Sequence, residues 1–141
     1  MDIRAFQSSD QPAVILLWEK CDLVRPWNDP AKDIRRKLEI QPEMFIVGVL
    51  TEELVATAMA GYEGHRGWIN YLAVAPEHQG KGFGRAIMAE AEKLLEQAGC
   101  PKVNVQVRES NSSAIEFYQR IGYRIDDVVG LGKRIEHDDE R

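Results

Sequence analysis

Three glycines at alternate positions of one short segment have the spacing to bind an anion. Gly80, Gly82 and Gly84 follow an apolar, strand-like run and precede a strongly helical one. Lys81 and Arg85 add two cations beside them. Backbone N–H groups in the first turn of a helix have no partner within the helix, and the helix dipole favours negative charge there. The segment is a candidate phosphate site, although a plain strand-to-helix turn could have the same composition.

The spacing of these glycines differs from that of two common phosphate motifs. Gly-x-Gly-x-Gly is neither the Gly-x-Gly-x-x-Gly of dinucleotide-binding folds nor a Walker loop. Those folds also place an acidic residue about 20 positions further on, whereas Glu92 and Glu96 lie inside the predicted helix. A dinucleotide-binding domain is therefore a weak alternative, which binding of NAD(H) would support.

Composition predicts one globular domain over residues 1–141, with no metal site. A chain of 141 residues has an ordinary domain size. Its net charge of -5 argues against a general nucleic-acid surface. We find no apolar run of about 18 residues and no signal-peptide pattern, so we expect a cytoplasmic protein that does not bind membranes. Cys21 and Cys100 lie outside any metal-ligand spacing.

Apolar periodicity predicts the elements that position the candidate site. Helices are expected over residues 9–21, after Pro30, over 83–98, and from a cap at Ser110 or Asn111 to Gly122. Strands are expected over 3–6, 44–50, 54–62, 68–74, 103–107, 123–129 and 131–135. This order indicates an α+β or mixed α/β fold around a mixed sheet.

Two motifs resemble the signatures of the GNAT superfamily of acyl-CoA-dependent N-acetyltransferases. Gln79-Gly-Lys-Gly-Phe-Gly84 matches the pattern Gln/Arg-x-x-Gly-x-Gly/Ala, after a strand and turn at 72–76. Asn111-x-x-Ala-x-x-Phe-Tyr-x-x-x-Gly-Tyr123 is similar to the second signature. The resemblance implies the GNAT fold: a central mixed, mostly antiparallel sheet of six to seven strands, flanked by about four helices, with splayed central strands. Homodimers are common in that family.

The resemblance implies acetyl-CoA as co-substrate. The amides of residues 80–85 would hold its pyrophosphate, and the main chain of 72–74 would pair with the pantetheine arm like an added strand. Asn111 would hydrogen-bond the arm, or would serve only as a helix N-cap. The implied cofactor-binding residues are Leu72, Ala73, Val74, Gln79, Gly80, Lys81, Gly82, Phe83, Gly84, Arg85 and Asn111.

The resemblance also implies the groups that carry out the transfer. Tyr118 occupies the family's position for the general acid, because a neutral phenol can protonate the leaving sulfur. Its alternative role is that of a core aromatic. A backbone N–H near Val74 would stabilise the oxyanion. The strand position that carries a glutamate base in some relatives is here Gln106, so Glu63 is the first candidate base, ahead of His65. Glu109, a water held by Tyr71, and transfer without a dedicated base remain open.

Two segments are expected on the acceptor side, the loop 23–30 and the turn 61–67. The candidate substrate-binding residues are Arg25, Trp27, Arg66 and Tyr71. Arg25 and Arg66 could bind the carboxylate of an amino acid or a peptide terminus. The segments also resemble a small stand-alone bacterial branch, the YpeA-like acetyltransferases. The predicted function is transfer of acetyl to a primary amine of a small molecule or peptide through a ternary complex; the alternative is a catalytically weak acyl-CoA sensor.

Overall fold

One five-stranded sheet organises residues 1–139, which the computed structural model describes. The elements are β1 (Asp2–Ala5), α1 (Gln11–Lys20), α2 (Pro30–Glu39), β2 (Phe45–Leu50), β3 (Glu53–Tyr62), β4 (Gly67–Val74), α3 (Phe83–Gln97), β5 (Val103–Asn104) and α4 (Ser112–Arg120). The strand order is β1-β2-β3-β4-β5. Strands β1 to β4 pair with one another in antiparallel fashion, and β5 runs parallel to β4 after the crossover through α3. The predicted fold class, a mixed and mostly antiparallel sheet with four α-helices, is confirmed.

The helix ends follow from local sequence. Asp29 accepts hydrogen bonds from the N–H groups of residues 31 and 32, so it caps α2 ahead of Pro30. Asn111 caps α4 in the same way. Gly99 and Gly122 follow α3 and α4 with φ of +90° and +105°, conformations that glycine adopts without strain.

The core lies where α1 and α3 pack on β2, β3 and β4. Residues 55–60 of β3 are all buried although successive side chains point to opposite faces, so both faces of this strand are covered. Trp18 of α1 is fully buried on the sheet. From α3, Ile87, Met88, Ala91 and Leu95 are buried. No helix among residues 1–139 is long and apolar enough to span a bilayer.

The predicted number of strands, six to seven, is wrong for the described residues, which form five. The segment 123–135 forms no strand, and only the first two residues of the predicted strand 103–107 pair. The large apolar side chains of the segment 123–135 are 76–96% exposed: Ile125, Val128, Val129, Leu131 and Ile135. Side-chain contacts hold this segment instead. Lys102 forms a salt bridge with Asp126 at 2.9 Å, and Arg134 donates a hydrogen bond to the Asn28 side chain at 2.6 Å. Alternating apolar residues predict a strand only where a neighbouring strand pairs with them.

Polar contacts also fix the region that follows. The side chain of Asp138 is only 1% exposed, and its carboxylate pairs with Arg36 of α2 at 2.7 Å. It accepts the backbone N–H of Asp29 at 3.0 Å as well. These bonds hold the pKa of Asp138 far below its usual range. The end of the described chain is therefore attached to α2 at two points, the N-cap Asp29 and Arg36 of the last turn.

Candidate active site

The cleft of the protein begins where β4 and β5 separate. The two strands pair only at Gly67 with Val103 and at Trp68 with Asn104, whereas β4 continues along β3 to Val74. Among residues 1–139, no strand pairs with the far part of the β4 edge on that side. A cleft of about 2100 Å³ opens here, between the loop after α1, α2, the segment after β5, and α4. The splayed central strands that the sequence led us to expect are present.

A β-bulge distorts β4 at the cleft. Between the register positions of Thr57 and Met59, β4 has two residues, Tyr71 and Leu72, where β3 has one. Tyr71 has a φ of +51°, in the left-handed region that non-glycine residues rarely adopt. Such a conformation costs on the order of 1–3 kcal/mol and persists only where the surroundings fix it. The bulge is thus maintained by contacts from outside β4.

The backbone N–H and carbonyl of Val74 face the open side of β4. The N–H of Ala75 donates to the Val55 carbonyl at 2.8 Å and therefore points toward β3. The N–H and carbonyl of one strand residue point to the same side, which alternates from residue to residue, so both groups of Val74 point away from β3. Its carbonyl accepts hydrogen bonds from the Gln79 amide at 3.1 Å and the Cys21 thiol at 3.3 Å. The N–H of Val74 is the group that an extended ligand along this edge would meet.

The glycine turn has the backbone conformation that its sequence suggested. Gly80 and Gly82 have φ of +81° and +84°. No side chain caps the first turn of α3, which begins at Phe83. A Cβ at Gly84 would lie 3.2 Å from the ring of Phe117, so this glycine allows α3 and α4 to approach closely. The turn therefore presents main-chain donors at the N-terminus of α3.

Two exposed cations flank this turn, Lys81 and Arg85. The ammonium of Lys81 lies 3.0 Å from Nδ1 of His78. The lining of the large cleft extends along β4 to Tyr71, and both the glycine turn and residues 72–74 lie beyond it. The two regions adjoin along β4, so one extended ligand could span from the turn to the cleft.

The tyrosine expected to act as an acid lines the cleft. Burial raises the pKa of Tyr118 to about 12. Its ring makes edge-to-face contacts with Phe117 and Tyr123, at centroid distances of 5.2 and 5.6 Å. The Tyr123 hydroxyl donates to Glu92 at 2.6 Å. Tyr118 is thus a neutral phenol at physiological pH, in a fixed aromatic setting.

Two of the predicted acceptor residues line the cleft on the loop after α1. Trp27 is 45% exposed, and the guanidinium carbon of Arg108 lies 5.4 Å from its ring centroid. This is cation–π distance. Arg25 pairs with the exposed Asp22 at 3.3 Å. Both residues therefore face the cleft.

Tyr71 lines the same cleft and is joined to an acidic residue that sequence reasoning missed. Its hydroxyl donates to Asp33 of α2 at 2.6 Å. Burial, together with this hydrogen bond to a carboxylate, raises the pKa of Tyr71. Asp33 also accepts from Asn28 at 3.0 Å and from Arg36 at 3.0 Å. An acidic residue in the first turn of a helix is common, so the sequence of α2 carried no sign of this contact.

The turn between β3 and β4 lies apart from these residues. Glu63 accepts the N–H groups of His65 and Arg66, and these bonds lower its pKa. The Arg66 guanidinium donates to the His65 carbonyl at 3.0 Å. None of the three lines the cleft, whereas Gln106 and Glu109 do. The structure does not bring Glu63 or Arg66 to Arg25 and Tyr71.

Divergent strands, a glycine turn and a half-buried neutral tyrosine are the arrangement expected of an acyltransferase. The sequence profile described as "Acetyltransferase (GNAT) family" matches residues 13–123. An acetyltransferase of Yersinia enterocolitica is 49% identical over 140 residues, which cover 99% of each chain. This chain belongs to the GNAT family of acetyltransferases.

Solved structures share the fold over most of the chain. Ard1 from Thermoplasma volcanium superposes with a TM-score of 0.78 at 25% identity, over 89% of this chain and 83% of that one. AAC(6')-Iy, solved in complex with the bisubstrate analogue CoA-S-monomethyl-acetylneamine, gives a TM-score of 0.78 at 15% identity, over 94% of this chain and 97% of that one. The latter similarity concerns the fold alone.

Proposed function

We propose that the protein transfers an acetyl group from acetyl-CoA to a primary amine of a small molecule or peptide, by direct attack in a ternary complex. The observation that carries this proposal is the free edge of β4. It joins the glycine turn at one end to a cleft containing Tyr118 at the other. A donor bound along this edge and an acceptor in the cleft would meet beside Val74.

The residues present fit the donor. Main-chain N–H groups of the turn 80–85 suit a pyrophosphate, and Lys81 and Arg85 add charge of the right sign. The N–H of Val74 suits the pantetheine arm or an oxyanion. Bound acetyl-CoA would supply the thioester whose carbonyl carbon the amine attacks. The CoA-linked analogue in AAC(6')-Iy supports this choice of donor by analogy of fold.

Tyr118 has the properties of a proton donor to the leaving sulfur. As the new C–N bond forms and the C–S bond breaks, its hydroxyl would donate to the developing thiolate. The attacking nitrogen also loses a proton. Glu109 lines the cleft and stays a candidate for the base that accepts this proton. The alternative is attack by an amine that is already neutral, without a dedicated base. Glu63 remains a prediction that the geometry does not support, because its carboxylate is used within its own turn.

The acceptor would enter between the loop after α1 and the segment after β5. Trp27, Arg25 and Tyr71 would contact it. A clamp of Arg25 with Arg66 around a carboxylate is not supported, since Arg66 lies outside the cleft. The side chain of Asn111 serves as an N-cap, so contact between it and the pantetheine arm stays a prediction.

Release of CoA in the presence of an amine panel tests this function. The panel contains amino acids, polyamines, aminoglycosides and peptide N-termini, and a thiol reagent detects free CoA. We expect at least one amine to accelerate release, with acetylated product confirmed by mass. Gln106 at the position of a family base motivates the rival function, a sensor. Tight CoA binding without acetylation of any amine would favour that rival, and no CoA binding would refute both.

A further inference from the structure

Contacts from three other elements hold Tyr71 in its unusual backbone conformation. Its carbonyl oxygen accepts a hydrogen bond from the Thr57 hydroxyl of β3 at 2.8 Å. Its ring stacks on the Trp18 indole of α1, with centroids 3.8 Å apart and planes at 13°. Its own hydroxyl donates to Asp33 of α2. The backbone, the ring and the phenol of one bulge residue are therefore each fixed separately.

The hydroxyl of Thr57 is the centre of this arrangement. It accepts a hydrogen bond from the Trp18 indole N–H at 2.9 Å while donating to Tyr71. Both Thr57 and Trp18 are fully buried, at 0% exposure. Hydrogen bonds in apolar surroundings are strong, and a buried polar group left unpaired is destabilising. Valine has the shape of threonine but could make neither bond, so the hydroxyl is the part of this side chain that specifies the bulge.

The bulge determines how the next residues of β4 are presented. Released from these contacts, Tyr71 would relax toward the extended backbone region that non-glycine residues prefer. The extra residue in β4 would then no longer be accommodated at this point, and the pairing of the strand would shift. The peptide groups from Leu72 to Val74 would turn with it. Contacts beneath the sheet thus control the edge on which the donor would bind.

We propose that Trp18 and Thr57 are positioning residues for the donor site, which they keep in its binding orientation by fixing the bulge at Tyr71. The inference rests on the proposed function, because the ligand concerned is the pantetheine arm of CoA. Neither side chain touches the reacting atoms. Their effect on the reaction is transmitted through the main chain of β4.

Binding of CoA by isothermal titration calorimetry tests the pair. Thr57→Val removes both hydrogen bonds at constant shape, Thr57→Ser retains the hydroxyl, and Trp18→Phe keeps an aromatic ring without the indole donor. Loss of one or two buried hydrogen bonds predicts a Kd for CoA about tenfold higher in Thr57→Val. We expect a change of about twofold or less in Thr57→Ser, and an intermediate one in Trp18→Phe.

The control separates positioning from general loss of stability. Leu95 is fully buried in α3 and makes none of the contacts that hold Tyr71, so Leu95→Ala removes packing without touching the bulge. At comparable loss of Tm we expect this variant to keep the wild-type Kd. In turnover assays Thr57→Val should raise the KM for acetyl-CoA, whereas Leu95→Ala should leave that KM unchanged.

Several results would overturn the inference. A Kd for CoA in Thr57→Val equal to that of the wild type contradicts it, as does an equal weakening in Leu95→Ala. If Thr57→Val does not fold, a wild-type Kd in folded Trp18→Phe decides against the pair. If the wild-type protein itself fails to bind CoA, the proposed function fails instead. The two failures are therefore distinguishable.

Discussion

Replacing Tyr118 with phenylalanine tests how far this residue acts as an acid. The pKa of Tyr118 is raised to about 12 by burial, whereas a thiol has a pKa of about 8.5. Complete transfer of the proton to the sulfur would therefore be uphill by about 3.5 units, or about 4.8 kcal/mol at 1.36 kcal/mol per unit. Hydrogen-bond donation to the developing thiolate is favourable without complete transfer. We infer that donation is the larger part of the effect.

The size of the expected change follows from that distinction. A hydrogen bond to a charged group contributes about 1.5–3 kcal/mol, which corresponds to a factor of about 10 to 150 in rate. We expect Tyr118→Phe to lower kcat by this factor with the Kd for CoA unchanged, since the ring remains. Because a neutral phenol is required, the wild-type kcat should not fall through deprotonation of Tyr118 as pH rises to about 10.

The assay is steady-state release of CoA, followed with a thiol reagent, on the best amine of the panel. Tyr62→Phe is the matched control, because that hydroxyl contacts the carbonyls of Gly64 and Gly99 outside the cleft. An unchanged kcat in Tyr118→Phe would refute the assignment. A fall of kcat with an apparent pKa below 10 that disappears in Tyr118→Phe would refute the argument from burial.

Three further predictions concern separate parts of the molecule. Gly84→Ala places a methyl group 3.2 Å from the Phe117 ring, so we expect a Tm several degrees lower and weaker CoA binding by calorimetry, with an unchanged Tm as the contrary result. Arg36 lowers the pKa of Asp138 below its unfolded value near 3.9, so this pair stabilises the fold above about pH 4 and its contribution is lost as pH falls further; urea unfolding of Asp138→Asn should be less pH-dependent there, and identical pH dependence would contradict this. Trp27→Ala should raise the KM for the amine about tenfold and leave the KM for acetyl-CoA unchanged, and equal changes in both would count against an acceptor role.

Sequence predicted those features that depend on neighbours in the chain. The cap at Asp29 and the left-handed residues Gly99 and Gly122 were readable because each depends on a few adjacent residues. The strands of the meander were readable from apolar runs between turns.

Features fixed by distant contacts were not readable. Asp33 and Tyr71 are 38 positions apart, and Trp18 and Thr57 are 39 apart. A tyrosine in an apolar strand gives no sign of a bulge, and a threonine there looks like an ordinary strand residue. The two final strands were expected wrongly because apolar alternation does not reveal whether a partner strand is present.

The segment around Arg134 is connected by hydrogen bonds to the part of the cleft around Tyr71. Asn28 accepts a hydrogen bond from Arg134 and donates one to Asp33, the partner of Tyr71. Free-energy coupling between two contacts is reciprocal. We therefore expect a molecule that orders the residues around Tyr71 to protect the segment around Arg134 from hydrogen exchange, and release of that segment from Asn28 to weaken the binding of that molecule. Hydrogen exchange around Arg134 would then report on occupancy of the cleft without any turnover.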